Sequence, residues 1–298
     1  MIINICGGGR WALEILQESL KIKKIKKINI ITKNKILYNK YKKFEQIKFY
    51  KGVNKHLLKL KYKTIICNKL ENHIPSAKIF LQSGSEVLIE KPIFKYNEEF
   101  EEIKKYKHKI FFSKIFSFDS ELAKFIKNIK KKRIKKIKIL WSDKINEKRR
   151  GVKKKHNKKI SFFFDTLHHI INLIELIYNS RSTLEIVDNF KFIKNDLNKT
   201  NFRFKINQIL FECKLSRVSK YRKRILMMET GKTRHQLNFS KSNNKRGNYS
   251  KIFNYQYIEK KNSLKKMINY FISSKFKKNK LSYIKSKNYI IIYKNLFQ

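Results

Sequence analysis

The chain begins with MIINICGGGRWALEIL (residues 1–16), in which an apolar run, three glycines and a helical pattern follow one another. Residues 2–6 are a short, mostly apolar run that ends at glycine, as is typical of a strand buried in a parallel sheet. From Trp11 onward, leucine and isoleucine recur at the spacing of a helix. Residues 28–32 form a second apolar run, so this region predicts a strand, a glycine turn, a helix and a second strand.

The glycine turn fits the pattern G-x-G-x-x-A, which between a strand and a helix is typical of dinucleotide binding. The first glycine permits a tight turn, the second lets the backbone approach a pyrophosphate, and the small last residue lets helix and strand pack closely. The N-terminus of the helix offers free N–H groups to the anion. A plain βα turn is the alternative. We predict a cofactor cradle formed by Gly7, Gly9, Arg10, Trp11 and Ala12.

The end of the second predicted strand bears on which dinucleotide the chain binds. An acidic residue about 20 positions after the glycines normally binds the adenosine ribose hydroxyls. This chain has Thr32-Lys33-Asn34 there instead. Because a hydroxyl and a cation suit a 2′-phosphate, we expect Thr32 and Lys33 to contact the cofactor and to favour NADP over NAD. Lysine is abundant throughout the chain, so a chance lysine at position 33 is the alternative.

Strands and helices continue to alternate as far as residue 116. Further strands are predicted at 63–67, 86–89 and 109–113, and helices at 75–83 and 97–106. The stretch 33–62 gives no clear pattern. Strands that alternate with helices predict an α/β fold with a doubly wound parallel sheet. We therefore predict a Rossmann dinucleotide-binding domain over residues 1–116.

After residue 116 the order of elements changes. Helices are predicted at 119–130, at 161–178 and after 263; strands at 134–142, 185–193, 201–206, 208–215 and 225–229; and loops at 143–159 and 241–262. Runs of strands are typical of an antiparallel sheet and of the α+β class. We predict that residues 117–298 form this second domain.

Two further clusters of residues suggest catalytic chemistry. Glu90-Lys91-Pro92 directly follows a predicted strand, and in open α/β sheets ligands bind beyond the carboxyl ends of strands. Lys91 would therefore face the cofactor and suit acid–base work. Asp165 and His169 are four residues apart on a predicted helix, so the carboxylate and the imidazole share a face and could relay a proton. A helix start with a structural histidine is the simpler interpretation of that pair alone.

These features, in this order, resemble the glucose–fructose oxidoreductase/inositol dehydrogenase family (Gfo/Idh/MocA). The stretch from His73 to Pro92 follows the family's helix–glycine–strand–EKP pattern. Asp165, His169 and Asn172 stand where the family has D-x-x-x-H-x-x-D, with Asn172 in place of the last acid. The resemblance covers about residues 1–178. Two departures are Asn68-Lys69-Leu70 in place of the usual T-P-N, and residues 161–164 (SFFF) in place of glycines.

The resemblance implies a Rossmann domain, a second domain with an open, mostly antiparallel sheet, and NAD(P)-dependent oxidation of a hydroxyl or reduction of a ketone. The expected substrate is a sugar or sugar derivative, including nucleotide-linked sugars. An imine or another small biosynthetic intermediate is the alternative substrate, and a non-catalytic NAD(P)-binding regulator is the alternative function. The family also implies a homodimer or homotetramer, and it implies that the second domain, 117–298, binds the substrate and mediates oligomerisation.

The resemblance also assigns a role to each candidate residue. Lys91 would contact the substrate oxygen, His169 would act as acid and base, and Asp165 would assist it or position the substrate. His73, Glu90 and Pro92 would belong to the cofactor side of the site. The catalytic trio is intact, so we expect an active enzyme.

The chain is strongly basic, with 73 Lys and Arg against 22 Asp and Glu and a formal net charge of +51. Arginine is the residue suited to bidentate phosphate and base contacts. Only 11 of the 73 basic residues are arginine, and lysine is spread from end to end. This distribution indicates an AT-rich coding bias, so we expect a small-molecule substrate and no nucleic-acid partner.

The remaining composition argues against several other classes of protein. The three cysteines are far apart, which predicts a reducing compartment and neither a disulfide framework nor a zinc knuckle. His168, His169 and Glu175 are the nearest set of metal ligands, but adjacent histidines point to different faces of a helix, so no metal is expected. No apolar run approaches the ~18 residues of a membrane span, and the N-terminus has no basic region of a signal peptide. We expect a cytoplasmic protein without a membrane partner.

Overall fold

The computed structural model describes residues 1–59, 62–94, 97–130, 134–145, 148–149, 152–153, 160–178, 186–231, 233–238, 252–256, 263–273, 280–286 and 292. The chain divides into two units. Met1–Phe118 and Lys261–Lys287 form the first unit, and Asp119–Lys260 and Asn288–Gln298 form the second.

The first unit is built on a six-stranded sheet in which every strand is parallel to its neighbours. Its strands and helices are β1 (Ile2–Cys6), α1 (Arg10–Leu20), β2 (Lys27–Ile31), α2 (Lys35–Tyr41), β3 (Ile47–Tyr50), α3 (Lys55–Lys59), β4 (Lys63–Ile66), α4 (His73–Gln82), β5 (Val87–Ile89), α5 (Asn97–Lys104) and β6 (Ile110–Phe112). The strand order β3-β2-β1-β4-β5-β6 is that of a Rossmann domain. The predicted doubly wound parallel sheet is confirmed.

The core of the first unit is formed mainly by isoleucine from the central strands. Ile3, Ile5 and Ile65 are at most 1% exposed, and α1 packs on these strands through Ala12 and Leu16. Ala12 is also almost fully buried, as expected for the small last position of the glycine pattern. Close approach of α1 to β1 brings the helix N-terminus to the carboxyl end of the strand.

A row of three buried polar side chains crosses the same strands. Asn29 on β2 donates from Nδ2 to Oδ1 of Asn4 on β1 at 2.9 Å, and Asn4 donates from Nδ2 to Oγ1 of Thr64 on β4 at 3.2 Å. Asn4 stands directly opposite Asn29 and Thr64 in the sheet. Burial of these groups is tolerated because each has a partner.

The stretch 33–62, which has no clear sequence pattern, contains α2, β3 and α3. All three elements are short, and β3 is an edge strand of which Ile47 is the buried residue. Short elements at an edge bury few side chains, so their hydrophobic periodicity is weak.

The second unit contains a seven-stranded sheet in the order β10-β11-β12-β7-β13-β14-β15. Its elements are α6 (Ser120–Lys130), β7 (Lys136–Lys144), β8 (Lys148–Arg149), β9 (Val152–Lys153), α7 (Phe162–Tyr178), β10 (Ile186–Asn195), β11 (Lys199–Ile206), β12 (Ile209–Ser219), β13 (Lys223–Thr230), β14 (Thr233–Asn238) and β15 (Ile252–Gln256). The pairs β12/β7 and β14/β15 are parallel, and the other four are antiparallel. The predicted mostly antiparallel sheet is confirmed. The predicted loop 143–159 contains the short β8/β9 pair, and most of the predicted loop 241–262 lies outside the described residues.

The last helix, α8 (Ser263–Ser273), belongs to the first unit. Met267, Ile268 and Phe271 are fully buried in the same core as β1 and α1. Downstream, the N–H of Phe112 donates to the carbonyl of Leu281 at 2.9 Å. The second domain predicted for 117–298 includes this segment, whereas in the structure α8 packs with the Rossmann sheet. No helix in the described part of the chain is long and apolar enough to cross a bilayer.

Candidate active site

The three glycines that follow β1 differ in the space around them. Gly7 has a φ of +149°, and a Cβ there would lie 2.7 Å from the carbonyl oxygen of Cys67. A Cβ on Gly8 would lie 1.9 Å from Oγ1 of Thr32, whereas one on Gly9 would meet nothing within 4 Å. Sequence reasoning singled out Gly7 and Gly9, but it missed the need for Gly8 because that need arises from Thr32.

The N-terminus of α1 lies directly after these glycines and has no side-chain cap. Gly9 is the N-cap residue, and as a glycine it has no side chain that could cap the helix. The first turn of a helix has N–H groups without partners in the helix, which bind anions well. Arg10 is exposed and Trp11 is half-buried at this turn. The open space at Gly9 therefore fits a pyrophosphate, with Gly7, Gly9 and the first turn of α1 as the residues that would hold it.

The end of β2 lies beside the glycine loop, as the motif requires. Thr32 is half-buried, and its Oγ1 accepts the N–H of Asn34 at 3.1 Å. Lys33 is exposed. Thr32 and Lys33, the residues predicted to contact the adenosine end of the cofactor, thus follow the carboxyl end of β2. The glycines follow the carboxyl end of its parallel neighbour β1.

Glu90 and Lys91 follow β5, at the same edge of the sheet as the glycine loop. Glu90 is 2% exposed, and its Oε1 accepts the hydroxyl of Ser113 at 2.7 Å. Its Oε2 accepts the N–H of Lys91 at 3.3 Å. Burial raises the pKa of Glu90, while Ser113 and the nearby Trp11 indole oppose that rise, the indole without forming a full hydrogen bond. The buried carboxylate therefore anchors the Lys91 backbone, and the side chain of Lys91 is half-buried.

We expect Glu90→Gln to change how the stability of the protein depends on pH. Because the pKa of Glu90 is raised in the folded state, the native protein binds this proton more tightly than the unfolded chain. Stability should therefore fall as pH rises from the ordinary value of 4.5 through the folded-state pKa. Glutamine carries no charge and keeps an acceptor for Ser113, so this fall should be absent in the variant.

The measurement is the melting temperature of wild type and Glu90→Gln between pH 4 and pH 8. The melting temperature of the variant should increase relative to that of wild type as pH rises. Glu45→Gln, at an exposed site, is the control and should follow wild type. Parallel curves for Glu90→Gln and wild type would contradict the expected cost of burying Glu90.

The ring of His73 contacts the main chain of the turn formed by Lys91 and Pro92. The ring is 3% exposed, with Nδ1 2.7 Å from the carbonyl oxygen of Pro92 and Nε2 3.2 Å from that of Asn68. Burial lowers the pKa of His73, and the contacts with these carbonyls oppose that change. The family resemblance predicts His73 and Pro92 on the cofactor side of the site. In the structure the His73 side chain contacts main-chain groups, and the Lys91–Pro92 peptide is cis.

Asp165 and His169 lie on the first two turns of α7 in the second unit, and both are half-buried. The Ser161 hydroxyl accepts the N–H of Phe164 at 3.2 Å and so caps the helix. Phe162 is almost fully buried. Ser161 therefore serves as a helix cap and Phe162 as part of the core.

The imidazole of His169 stacks on the indole of Trp141 from β7, with ring centroids 5.2 Å apart and an interplanar angle of 17°. The guanidinium of Arg224 from β13 lies 4.1 Å from the centroid of the same indole. Arg224 also forms a buried ion pair with Asp143 and donates to the Ser142 carbonyl. A fixed aromatic surface thus orients the proposed acid–base histidine.

Arg217 from β12 is a second buried arginine near this helix. It is 7% exposed and donates from Nη2 to the carbonyl of Ile160 at 3.1 Å. Burial lowers the pKa of Arg217, and the charges of Asp165 and Asp143 oppose that change. Asp165 therefore lies in the field of a buried cation.

Sequence reasoning missed Trp141, Arg217 and Arg224, because they come from strands that are distant in sequence from α7. One property of the sequence could have indicated the two arginines. In a chain that uses lysine for almost all of its positive charge, both are among the few arginines and both are buried. Within the described residues, no group of three or more His, Cys, Asp or Glu could hold a metal ion.

A six-stranded parallel sheet in Rossmann order and a mixed seven-stranded sheet define a two-part α/β fold that is found in dehydrogenases. No protein-family model and no curated protein matches the chain. Solved structures match it along nearly its whole length. A dehydrogenase from Clostridium difficile aligns over 99% of this chain and 98% of its own, with a TM-score of 0.70 and 17% identity.

Two further solved structures carry more specific names. A UDP-N-acetylglucosamine 3-dehydrogenase from Acidithiobacillus ferrooxidans aligns over 99% of this chain and 96% of its own, with a TM-score of 0.72 and 12% identity. A myo-inositol dehydrogenase from Corynebacterium glutamicum has the same coverage and identity, with a TM-score of 0.71. The chain therefore has the fold of these enzymes, in agreement with the fold that the family resemblance implies.

Proposed function

We propose that the protein is an NAD(P)-dependent oxidoreductase that acts on a hydroxyl or keto carbon of a sugar or sugar derivative, nucleotide-linked sugars included. The observation that carries this proposal is the glycine loop, where open space at Gly9 adjoins the uncapped N-terminus of α1. The names of two structures with this fold, a UDP-N-acetylglucosamine 3-dehydrogenase and a myo-inositol dehydrogenase, support a polyol or sugar substrate.

A bound nicotinamide supplies or accepts the hydride in this class of reaction. Lys91 would donate a hydrogen bond to the substrate oxygen and stabilise the negative charge that develops on it. The buried Glu90 supports this role by accepting the N–H of Lys91. His169 would take up or release the hydroxyl proton, and Asp165, attracted by the charge of Arg217, would orient the imidazole.

We further propose a preference for NADP. At the end of β2 the chain has Thr32 and an exposed Lys33 in place of an acid. A carboxylate at this position binds ribose hydroxyls and repels a 2′-phosphate, whereas a hydroxyl and a cation attract one. Lys33→Glu should therefore weaken NADPH binding more than NADH binding.

The test is a fluorescence titration of the purified protein with NADPH and with NADH, followed by a turnover assay with keto-sugars, polyols, nucleotide-sugars and imines. We expect both cofactors to bind, NADPH more tightly, and at least one sugar-like compound to be turned over. If the protein binds neither NADPH nor NADH, the proposal is overturned. Turnover of imines alone would replace the proposed substrate class with the alternative one.

A further inference from the structure

The loop after β2 is joined to the glycine loop by Thr32 and Asn34. Nδ2 of Asn34 donates to the carbonyl oxygen of Gly8 at 2.5 Å. The N–H of Asn34 donates to Oγ1 of Thr32, the same atom that lies 1.9 Å from a Cβ built on Gly8. Glycine at position 8 therefore leaves the room in which the two loops meet.

The contact with the Gly8 carbonyl determines which way the next amide points. The C=O of Gly8 and the N–H of Gly9 belong to one planar trans peptide, so they point in opposite directions. Because Asn34 holds the carbonyl, the N–H of Gly9 points away from Asn34. Gly9 is exposed, and a Cβ on it would meet nothing within 4 Å. The Gly8–Gly9 peptide thus has its N–H available as a donor, while its carbonyl oxygen already accepts a hydrogen bond from Asn34.

We infer that Asn34 is a positioning residue for the cofactor, which holds the Gly8–Gly9 peptide with its N–H available to a phosphate oxygen. The inference rests on the proposed function, since it takes a pyrophosphate as the ligand of the glycine loop. Without the Asn34 contact the peptide can rotate, and the Gly8 carbonyl then faces the anion in part of the population. The apparent Kd for the cofactor then rises in inverse proportion to the fraction of molecules in which the Gly9 N–H still faces the anion.

Asn34 also caps a helix, and the experiment has to separate the two roles. Its Oδ1 accepts the N–H groups of Ile36 at 2.9 Å and Leu37 at 3.2 Å, which caps α2. Serine at this position keeps a capping oxygen but has no amide that could reach Gly8. Asn54 is the matched control, because its Oδ1 accepts the N–H of Leu57 at 3.0 Å at the start of α3.

The experiment measures Kd for NADPH and NADH, cofactor KM, kcat and melting temperature in wild type, Asn34→Ser and Asn54→Ser. We expect Asn34→Ser to raise both Kd values and both KM values about tenfold, which corresponds to about one molecule in ten with the Gly9 N–H towards the anion, with kcat at saturating cofactor unchanged. Asn54→Ser should bind both cofactors as wild type does. The melting temperatures of the two variants should stay close to each other.

Asn34→Asp is the second variant, since it keeps the size and the cap and removes the donor. Its loss of affinity should persist at high ionic strength, which screens the added charge. If wild type binds NADPH and both Asn34 variants bind it equally well, the inference is overturned and the proposed function stands. If wild type binds neither dinucleotide, the proposed function fails and the inference fails with it.

Discussion

Lys91→Ala is expected to lower kcat about 10²–10³-fold, the loss measured elsewhere when one donor to a developing oxyanion is removed. The Lys91 backbone is held by Glu90, which is itself fixed by Ser113, so the turn after β5 should survive loss of the side chain. Kd for NADPH should therefore stay close to wild type. Stopped-flow or steady-state assays with the best substrate, together with a cofactor titration, provide both values.

Lys107→Ala is the matched control, because Lys107 is an exposed lysine of the same unit. It should leave kcat and Kd unchanged in a chain with so many surface lysines. Lys91→Ala with wild-type turnover would remove Lys91 from the catalytic machinery, while the proposal of cofactor binding would be unaffected.

Asp143→Ala should destabilise the second unit by about 3–5 kcal/mol, because removing one partner of a buried ion pair leaves the other charge without compensation. Asp143 is 1% exposed and Arg224 is 5% exposed. The same guanidinium lies over Trp141, on which His169 stacks, so kcat should also fall. Urea unfolding followed by tryptophan fluorescence measures the free energy of unfolding.

Two controls separate burial of charge from loss of an ion pair as such. Asp143→Leu combined with Arg224→Met should cost less than Asp143→Ala alone, since no buried charge is left over. Glu102→Ala, which removes the exposed pair with Lys78, should change stability by less than about 0.5 kcal/mol. Equal effects of Asp143→Ala and Glu102→Ala would contradict the buried-pair interpretation.

The Rossmann half could be predicted because its determinants are local. The strand at 2–6, the glycines and the helix after them lie within one short segment, and the strands are short, mostly apolar runs. The position of α8 could not be predicted in this way. Met267 and Phe271 show only that one face of the helix is apolar, and which sheet that face covers is decided by packing across more than 200 residues.

The residues of the candidate site also differ in whether the local sequence is enough to predict them. Gly7 and Ala12 follow from what a strand–turn–helix must do, and Lys91 from its position directly after a strand, so reasoning on short motifs could predict them as candidates. Gly8 and Trp141 depend on partners elsewhere in the chain, namely Thr32 and His169. Such requirements become visible only when both partners are placed in space.

The polar row Asn29–Asn4–Thr64 determines which positions of the central sheet can vary. Isoleucines in the surrounding strands can be exchanged for valine or leucine at modest cost, since volume and apolarity are largely kept. A shift of β1 by one residue against its neighbours would instead leave buried amide and hydroxyl groups unbonded, at about 1–3 kcal/mol each. In a sequence so rich in isoleucine and lysine, these three side chains thus specify the alignment of strands that are otherwise nearly interchangeable. We expect substitutions at Asn4, Asn29 and Thr64 to be tolerated in combination rather than singly.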